Sequence, residues 1–181
     1  MEALIKLDLA CGQSKKDKDW IGVDIAGNVA DIKQDLLVFP WKWTDSSVDE
    51  IHCSHFIEHI FMNDLSGGAK DLLACFMDEC YRILKPGATM TIICPSCRSN
   101  RAFWDFTHRR FLCQESFLYF SKEWRELNKL DHYNINCNFG ISVGHSVPAE
   151  MNLLSQEASA RRFNESWNVV YDCICTLKTI K

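Results

Sequence analysis

Hydrophobic residues occur in short runs along this chain, and most of these runs have the length of a strand. Four short segments are rich in apolar residues, which is typical of strands in a buried parallel sheet; they span residues 3–9, 20–25, 48–53 and 89–94. Residues 71–84 instead repeat apolar side chains at helical spacing and stop at the sequence KPG, which predicts an α-helix. Strands interrupted by a helical segment predict an α/β fold.

The pattern in the second half predicts two further strands, over residues 134–143 and 168–179. Residues 98–113 are mixed and aromatic and predict a loop over the sheet edge, whereas residues 114–120 predict a helix. Residues 148–162 allow either a helix or a mobile loop. The sequence contains no repeat and no linker, so its 181 residues predict one domain.

The composition is that of an ordinary soluble globular protein, with 47% apolar and 24% charged residues. A formal net charge of -4 argues against binding nucleic acid through a strongly basic surface. No apolar stretch approaches the ~20 residues that span a bilayer, and an apolar strand begins so early that we expect no signal peptide. Ten cysteines without a secretion signal predict reduced, mostly buried thiols and a cytoplasmic location.

Two acids bracket a glycine turn near the N-terminus, Asp8 in LDLACG and Asp24 in WIGVDI. A strand that ends in a glycine turn, followed by a strand capped by an acid, forms a pocket for a ribose-containing ligand. Backbone N–H groups of the turn approach the ligand, and the acid accepts hydrogen bonds from the ribose hydroxyls. Asp24 is therefore a candidate ribose-binding residue.

The order of these signals resembles that of a class I S-adenosylmethionine-dependent methyltransferase, in particular the small methyltransferases of type 11. After LDLACG and WIGVDI come Asp35 and Leu36, then SVDEI running into HFIEH, and last CYRILKPG before a strand. The resemblance implies a Rossmann-like three-layer α/β sandwich with a mostly parallel seven-stranded sheet and an antiparallel C-terminal strand. It also implies a single domain over residues 1–181, with a cofactor half of about 1–95 and an acceptor-side half of 96–181.

The same resemblance implies which residues bind S-adenosylmethionine. Asp8 and the backbone of the glycine turn would hold the methionine end, Asp24 would bind the ribose, and Asp35 would face the adenine amino group. The backbone just past the fourth strand would contact the amino acid portion. The expected cofactor-binding set is Asp8, Ala10, Cys11, Gly12, Asp24, Ile25, Asp35, Leu36, Cys53, Ser54 and His55.

The first turn departs from the family pattern in two ways. Ala10 stands at the first glycine position and Gln13 follows Gly12. Only residues 10–19 join the first two strands, and a parallel crossover normally needs about 10–12 residues including its helix. We therefore expect the first helix to be minimal.

Candidate catalytic residues follow the fifth strand, where the family places acceptor residues. Methyl transfer requires mostly alignment of the acceptor, with a base where the acceptor is a hydroxyl or an amine. Asp105 or His108 is the candidate base, and Arg109 or Arg110 is the candidate clamp for an anionic acceptor. The alternative is a polar loop whose arginines pair with acids. We expect a small-molecule, sugar or lipid-type acceptor; oligomeric state is not readable from the sequence.

The segment HFIEH at residues 55–59 also matches a zinc-peptidase signature, in which two histidines four residues apart bind one metal ion. The resemblance explains the same letters without metal, as the turn and helix after the fourth strand. No third ligand follows at a helical spacing downstream. We therefore expect no metal site.

Other signals have plainer interpretations. CPSC at residues 94–97 has redox or metal spacing, but it follows a late strand and no second pair completes a zinc site. Trp20, Trp41 and Trp43 lack a basic stripe between them, so core packing or a pocket wall is preferred over base stacking. The single glycine and the KPG motif favour S-adenosylmethionine over a nicotinamide nucleotide. A non-catalytic binding or regulatory module with the same fold is the alternative function.

Overall fold

A computed structural model describes residues 3–63 and 69–181 of the chain. Within these ranges the chain forms seven strands and four α-helices, together with short 3₁₀ turns. The strands are β1 (Lys6–Leu9), β2 (Ile21–Asp24), β3 (Ile32–Lys33), β4 (Val48–Ser54), β5 (Leu84–Pro95), β6 (Phe139–Ser146) and β7 (Asp172–Thr179). The helices are α1 (Leu72–Ile83), α2 (Arg101–Trp104), α3 (Lys122–Leu127) and α4 (Gln156–Glu165).

All seven strands join one sheet in the order β3-β2-β1-β4-β5-β7-β6. The pairs from β3 to β5 are parallel, and β7 lies antiparallel between β5 and β6. This confirms the α/β fold with a mostly parallel seven-stranded sheet and an antiparallel C-terminal strand. Because β1, β2, β4 and β5 are parallel neighbours, their carboxyl ends lie at one edge, which we call the carboxyl edge.

The connections between the first four strands contain no helix, and all their residues lie in the described ranges. The minimal helix expected between β1 and β2 is replaced by turns. Side chains satisfy the backbone that a helix would have paired: Asp8 accepts from Lys16 N at 2.6 Å, and Asp31 accepts from Gly22 N at 2.8 Å. Residues of the connection between β3 and β4 contribute to the core, as the burial of Leu36 and Trp41 shows.

Helix α1 matches its predicted position to within a residue at each end. The side chain of Asp71 caps it by accepting from Leu73 N and Ala74 N, and its apolar face is fully buried at Phe76, Met77, Cys80 and Ile83. The ring of Phe76 lies 5.7 Å from that of Trp41, which confirms core packing for this tryptophan.

Strand β5 begins five residues earlier than predicted. Leu84 pairs with Val48 immediately after α1, and the register then shifts so that Thr89 pairs with Glu50. The KPG sequence therefore lies inside the irregular start of the strand, where Gly87 has a φ of +74°. Such a conformation suits glycine, because it lacks a Cβ atom.

The second half agrees with the predicted strands but adds short helices. Strand β6 starts at Phe139 rather than at residue 134, and α2 lies within the predicted loop of residues 98–113. The predicted helix at 114–120 is a 3₁₀ helix, Gln114–Phe120. Residues 148–162, for which two interpretations stood open, contain a 3₁₀ turn, Ala149–Leu153, and most of α4.

All ten cysteines are free thiols, and most are buried. Burial raises the pKa of Cys53 and Cys80 well above the ordinary thiol value, and that of Cys175 to about 12. These thiols are protonated at neutral pH and serve as small apolar side chains. In the described part of the chain, no helix has the length and apolarity that a membrane crossing requires. The cytoplasmic location stays a prediction.

Candidate cofactor and acceptor site

Asp8 is almost completely buried, and both its carboxylate oxygens have partners within the protein. Oδ1 lies 2.7 Å from Nδ1 of His52, the residue opposite it on β4. Oδ2 accepts from Lys16 N at 2.6 Å. Asp8 therefore fixes the loop after β1 against β4, and its predicted contact with the methionine end of the cofactor would act through that loop.

The glycine turn directs its backbone N–H groups at the end of β2. Ala10 N and Cys11 N donate to Val23 O at 2.7 and 3.4 Å, and Gly12 N donates to Asp24 Oδ2 at 2.9 Å. Gly12 has a φ of +57°, and no atom lies within 4 Å of the place where its Cβ would be. The turn is thus held rigidly, while the open side of Gly12 lets a ligand approach the backbone.

Asp24 caps β2 and is partly buried. Besides Gly12 N, it accepts from Ala26 N at 2.9 Å and Gly27 N at 3.1 Å, both at Oδ1. Burial raises the pKa of this carboxyl, but the hydrogen bonds from Ala26, Gly12 and Gly27, together with the adjacent N–H of Ile25, outweigh it, so the net pKa is lowered. Asp24 is therefore anionic at neutral pH.

The residues around Asp24 fit the ribose of the implied cofactor if one backbone N–H group gives up its hydrogen bond to the carboxylate. A carboxylate has about four acceptor positions, and three are used here by backbone N–H groups. A ribose diol offers two hydroxyl donors, so one of the N–H contacts must give way. The loop after β2 packs tightly against the glycine turn, because a Cβ atom at Gly27 would lie only 2.2 Å from Gly12 O.

The remaining predicted cofactor residues lie along the same edge. Ile25 is 65% exposed beside Asp24. Asp35 is exposed and uses one oxygen for Leu37 N at 2.8 Å, while Leu36 is buried. Cys53 is fully buried within the sheet, whereas Ser54 after it is partly exposed.

His55 follows Ser54 at the end of β4. Its N–H donates to Ile93 O at 2.8 Å, and its φ is +53°, an uncommon value for a residue other than glycine. This conformation re-aims the chain at the carboxyl edge, next to a cleft of about 300 Å³. We call this the histidine cleft; its lining residues are His55, Glu58, His59, Pro95, Arg101, Trp104, Asp105 and His108.

Glu58 lies at the buried side of the histidine cleft, with 1% of its surface exposed. Its Oε1 lies 3.2 Å from His55 Nδ1, whereas Oε2 has no hydrogen-bond partner among the described residues. The hydrogen bond to Glu58 raises the pKa of His55. The backbone of Glu58 is tied as well, since its carbonyl accepts from Arg109 N and Arg110 N.

The hydrogen bonds of His59 and His108 determine which ring nitrogen carries the proton. Thr107 Oγ1 donates to Asp105 Oδ1 at 2.7 Å, so it accepts from His59 Nδ1 at 2.9 Å. His108 Nδ1 donates to Ala102 O at 2.9 Å. In the neutral form of each ring, Nε2 therefore carries the lone pair, and the rings meet edge to face at 4.7 Å.

The two predicted catalytic residues come together in the cleft. His108 Nε2 lies 3.8 Å from Asp105 Oδ2. The hydroxyl and the N–H of Thr107 lower the pKa of Asp105, which keeps it anionic. A neutral imidazole with a free lone pair beside an anionic carboxylate can accept a proton.

The two predicted arginine clamps lie outside the lining of the cleft. Arg110 is engaged in structure: it donates to Ile60 O at 2.7 Å and pairs with Asp71 at 2.9 Å. Arg109 donates to Phe106 O at 2.8 Å. The guanidinium that does line the cleft is Arg101, which pairs with Asp172 at 3.2 Å.

Sequence reasoning missed the side chains of Glu58, His59 and Arg101 as parts of a site. The HFIEH segment matches a metal-binding signature, but the methyltransferase resemblance assigns the same residues to a turn and a helix. In the structure only Ile57–His59 is helical, as a single 3₁₀ turn, so the two histidines do not share an α-helical face. Arg101 stood in a segment predicted to be a loop, and nothing in its neighbours indicated where α2 would place it.

The sequence matches no protein-family model and no curated protein. The fold, in contrast, matches solved methyltransferases that depend on S-adenosylmethionine. One from Archaeoglobus fulgidus has a TM-score of 0.65 at 18% identity, covering 98% of this chain and 86% of that one. One from Mesorhizobium loti has a TM-score of 0.52 at 13% identity, covering 97% and 91%.

A third similar structure is the methyltransferase partner of the Haloferax volcanii Trm112 methyltransferase activator. It has a TM-score of 0.54 at 13% identity, covering 99% of this chain and 84% of that one. Together with the strand order and the antiparallel β7, these similarities define the class I fold of S-adenosylmethionine-dependent methyltransferases. Similarity at this level of identity defines the fold, and the function has to be argued from the site.

Proposed function

We propose that this protein binds S-adenosylmethionine at the carboxyl edge and transfers its methyl group to an acceptor in the histidine cleft. One observation carries the proposal. The glycine turn with Asp24 and the histidine cleft lie at the same edge of a class I sheet, beyond the carboxyl ends of four adjacent parallel strands. This edge is where open α/β sheets bind their ligands.

The cofactor side of the site supplies an acid, an open backbone and an apolar surface. Asp24 would accept from the ribose hydroxyls, and Gly12 would allow the backbone to approach. Ile25 would cover part of a purine ring, and the free oxygen of Asp35 would accept from an amino group. When bound, S-adenosylmethionine supplies an activated methyl group, so the chain itself has mainly to orient the acceptor.

The acceptor side supplies a proton acceptor in a small space. His108 Nε2 would take the proton of an acceptor hydroxyl or amine, and the nearby carboxylate of Asp105 would stabilise the resulting imidazolium. Arg101 and Trp104 line the same cleft. A volume of about 300 Å³ is at the small end for ligand pockets, which suits a small molecule, a sugar or a lipid head group.

The cofactor half of the proposal is tested by calorimetric titration with S-adenosylmethionine and S-adenosylhomocysteine. Asp24→Ala should weaken binding roughly 10- to 100-fold, because it removes hydrogen bonds to a charged group. Asp19→Asn is the matched control, since this exposed acid lies in the loop between β1 and β2 and outside the site. Failure of the folded wild-type protein to bind, or equal binding by both variants, would contradict the proposal.

The acceptor half is tested on turnover once an acceptor has been found by screening. Removal of a general base by His108→Ala should lower kcat by about 10²- to 10⁴-fold with little change in cofactor affinity. Unchanged turnover would exclude His108 as the base.

A second candidate function is a non-catalytic binding or regulatory module. The observation that favours it is the completeness of the internal hydrogen bonding: the N–H groups of Ala10, Cys11 and Gly12 and both oxygens of Asp24 already have partners. Such a module predicts no response to either cofactor form in the titration, in both the wild type and Asp24→Ala.

A further inference from the structure

The histidine cleft brings together three metal-ligating side chains that are separated along the chain. Glu58, His59 and His108 each place one ligand atom within 4.8 Å of the other two. A tetrahedral ion with bonds of about 2.0–2.2 Å separates its ligand atoms by roughly 3.5 Å. Small side-chain rotations are enough to close that difference.

The hydrogen bonds around these side chains leave the atoms that a metal ion requires. Both histidines use Nδ1–H within the protein, toward Thr107 Oγ1 and Ala102 O, so each has its Nε2 lone pair free. This is the arrangement that outer partners impose on metal-binding histidines. The carboxylate of Glu58 is oriented in the same way, because His55 contacts its Oε1 and leaves Oε2 free to bind the ion.

Glu58 gives a second, independent indication of a ligand. A buried carboxylate normally has a partner for each oxygen, because an unpaired buried charge is costly. The side chain of Glu58 is 1% exposed and lines the cleft, yet its Oε2 has no hydrogen-bond partner among the described residues. A cation in the cleft would satisfy this oxygen.

The charge of the cleft also favours a cation. Glu58 and Asp105 contribute two carboxylates to its lining, and the positive charge of Arg101 is paired with Asp172. The two carboxylates therefore favour a divalent cation in the cleft. Two imidazoles and one carboxylate suit Zn²⁺ or a similar transition metal, whereas Mg²⁺ prefers oxygen ligands.

We propose that Glu58, His59 and His108 form a binding site for a divalent transition-metal ion, with Zn²⁺ as the representative. The site goes beyond the proposed methyl transfer and does not depend on it. Three protein ligands leave a position open for a further oxygen or nitrogen ligand. His108 Nε2 cannot hold a metal ion and accept a proton at once, so an acceptor in the metal-bound protein would be activated by the ion instead.

The experiment is calorimetric titration of the chelator-treated, full-length protein with Zn²⁺ or Co²⁺, in the absence of S-adenosylmethionine. We expect one equivalent to bind and Mg²⁺ not to bind. Glu58→Gln, His59→Asn and His108→Asn should each weaken binding about 100-fold or more, whereas the exposed His132→Asn should not. Far-UV circular dichroism checks that each variant is folded.

The visible spectrum of the Co²⁺ complex identifies the ligands. With only nitrogen and oxygen ligands, Co²⁺ shows weak absorption bands in the visible range. Thiolate ligands would add strong charge-transfer bands in the near ultraviolet. Thr107→Val should weaken binding about 10- to 100-fold, since it leaves the ligands in place but frees the ring of His59. No binding by the wild type, binding through thiolates, or unchanged binding by the three ligand variants would each overturn the proposal.

The metal site and methyl transfer can fail separately. Metal binding is measured without S-adenosylmethionine, and cofactor binding is measured after chelator treatment. Loss of metal binding with retained cofactor binding would remove the metal site alone, and the reverse result would remove only the proposed function.

Discussion

Asp24 stabilises the glycine turn and is also the residue proposed to bind the ribose. Its two oxygens join the glycine turn, the end of β2 and the loop that follows through three backbone N–H groups. The same oxygens are the ones expected to receive ribose hydroxyls. Because the acceptor positions are shared, binding of the cofactor should exchange hydrogen bonds within the site and add few new ones.

The hydrogen bonds to the carboxylate of Asp24 predict that the free energy of unfolding depends on pH. The folded pKa of Asp24 is lowered below its ordinary value of 3.8, so the ionised form contributes stability that is fully present above about pH 4. That contribution is lost as the pH falls through the lowered folded pKa. Asp24→Asn should therefore be less stable than wild type by about 1–2 kcal/mol at pH 7, with the difference shrinking toward pH 2.

Urea denaturation at pH 7 and at pH 2.5 measures this difference. Asp19→Asn serves as the control, because its carboxyl is exposed and its change should leave the free energy of unfolding nearly the same at both pH values. A constant deficit of Asp24→Asn at both pH values would show that the charge of Asp24 is not the source of its stabilising effect.

At the level of elements, two acids connect α1 to later segments of the chain, one at its N-cap and one in its middle. Asp71 caps the first turn and pairs with Arg110, which links the helix to the loop after β5. Asp78, further along, accepts from Asn136 N and Cys137 N. The helix thus positions segments that come much later in the chain.

The cap at Asp71 can be separated from its ion pair by two substitutions. Asp71→Ala removes both and should lower the free energy of unfolding by about 1–2 kcal/mol, whereas Asp71→Ser keeps a capping oxygen and should recover most of the loss. Thermal or urea denaturation of both variants gives the comparison. Equal losses in the two variants would mean that the pair with Arg110, and not the cap, is what stabilises the helix.

For the whole molecule, the proposed ligands should act on stability through mass action. A ligand at 100 times its Kd adds about 2.7 kcal/mol to the free energy of unfolding. In a domain of this size that corresponds to a rise in Tm of roughly 5–11 °C. At the same concentration S-adenosylhomocysteine should raise the Tm of Asp24→Ala by about half as much as that of wild type or less, because a 10- to 100-fold weaker Kd leaves only about 0.4–1.4 kcal/mol; equal rises in the two proteins would place the ligand elsewhere.

The sequence predicted the core elements of the fold because their signals are local. The apolar runs and the α1 periodicity predicted β1, β2, β4, the main part of β5 and the helix, since burial on both faces or on one face leaves a visible pattern, but they did not predict the short β3. The connection between β1 and β2 was predicted less well. Its turns depend on contacts of Asp8 and Asp31 with distant backbone N–H groups, which no local pattern records.

Some features of the candidate site could likewise be predicted from the sequence, and others could not. The sequence by itself determined the fold class and the acids at the strand ends, because strand order and strand ends follow from hydrophobic pattern and turn chemistry. Only the tertiary structure decided that His108 lies near Glu58 and His59, that Arg101 lines the cleft whereas Arg109 and Arg110 lie outside its lining, and that Asp24 is already hydrogen-bonded. These facts depend on how β4 and β5 place their following loops, and side-chain directions at such a junction are not encoded by spacing along the chain.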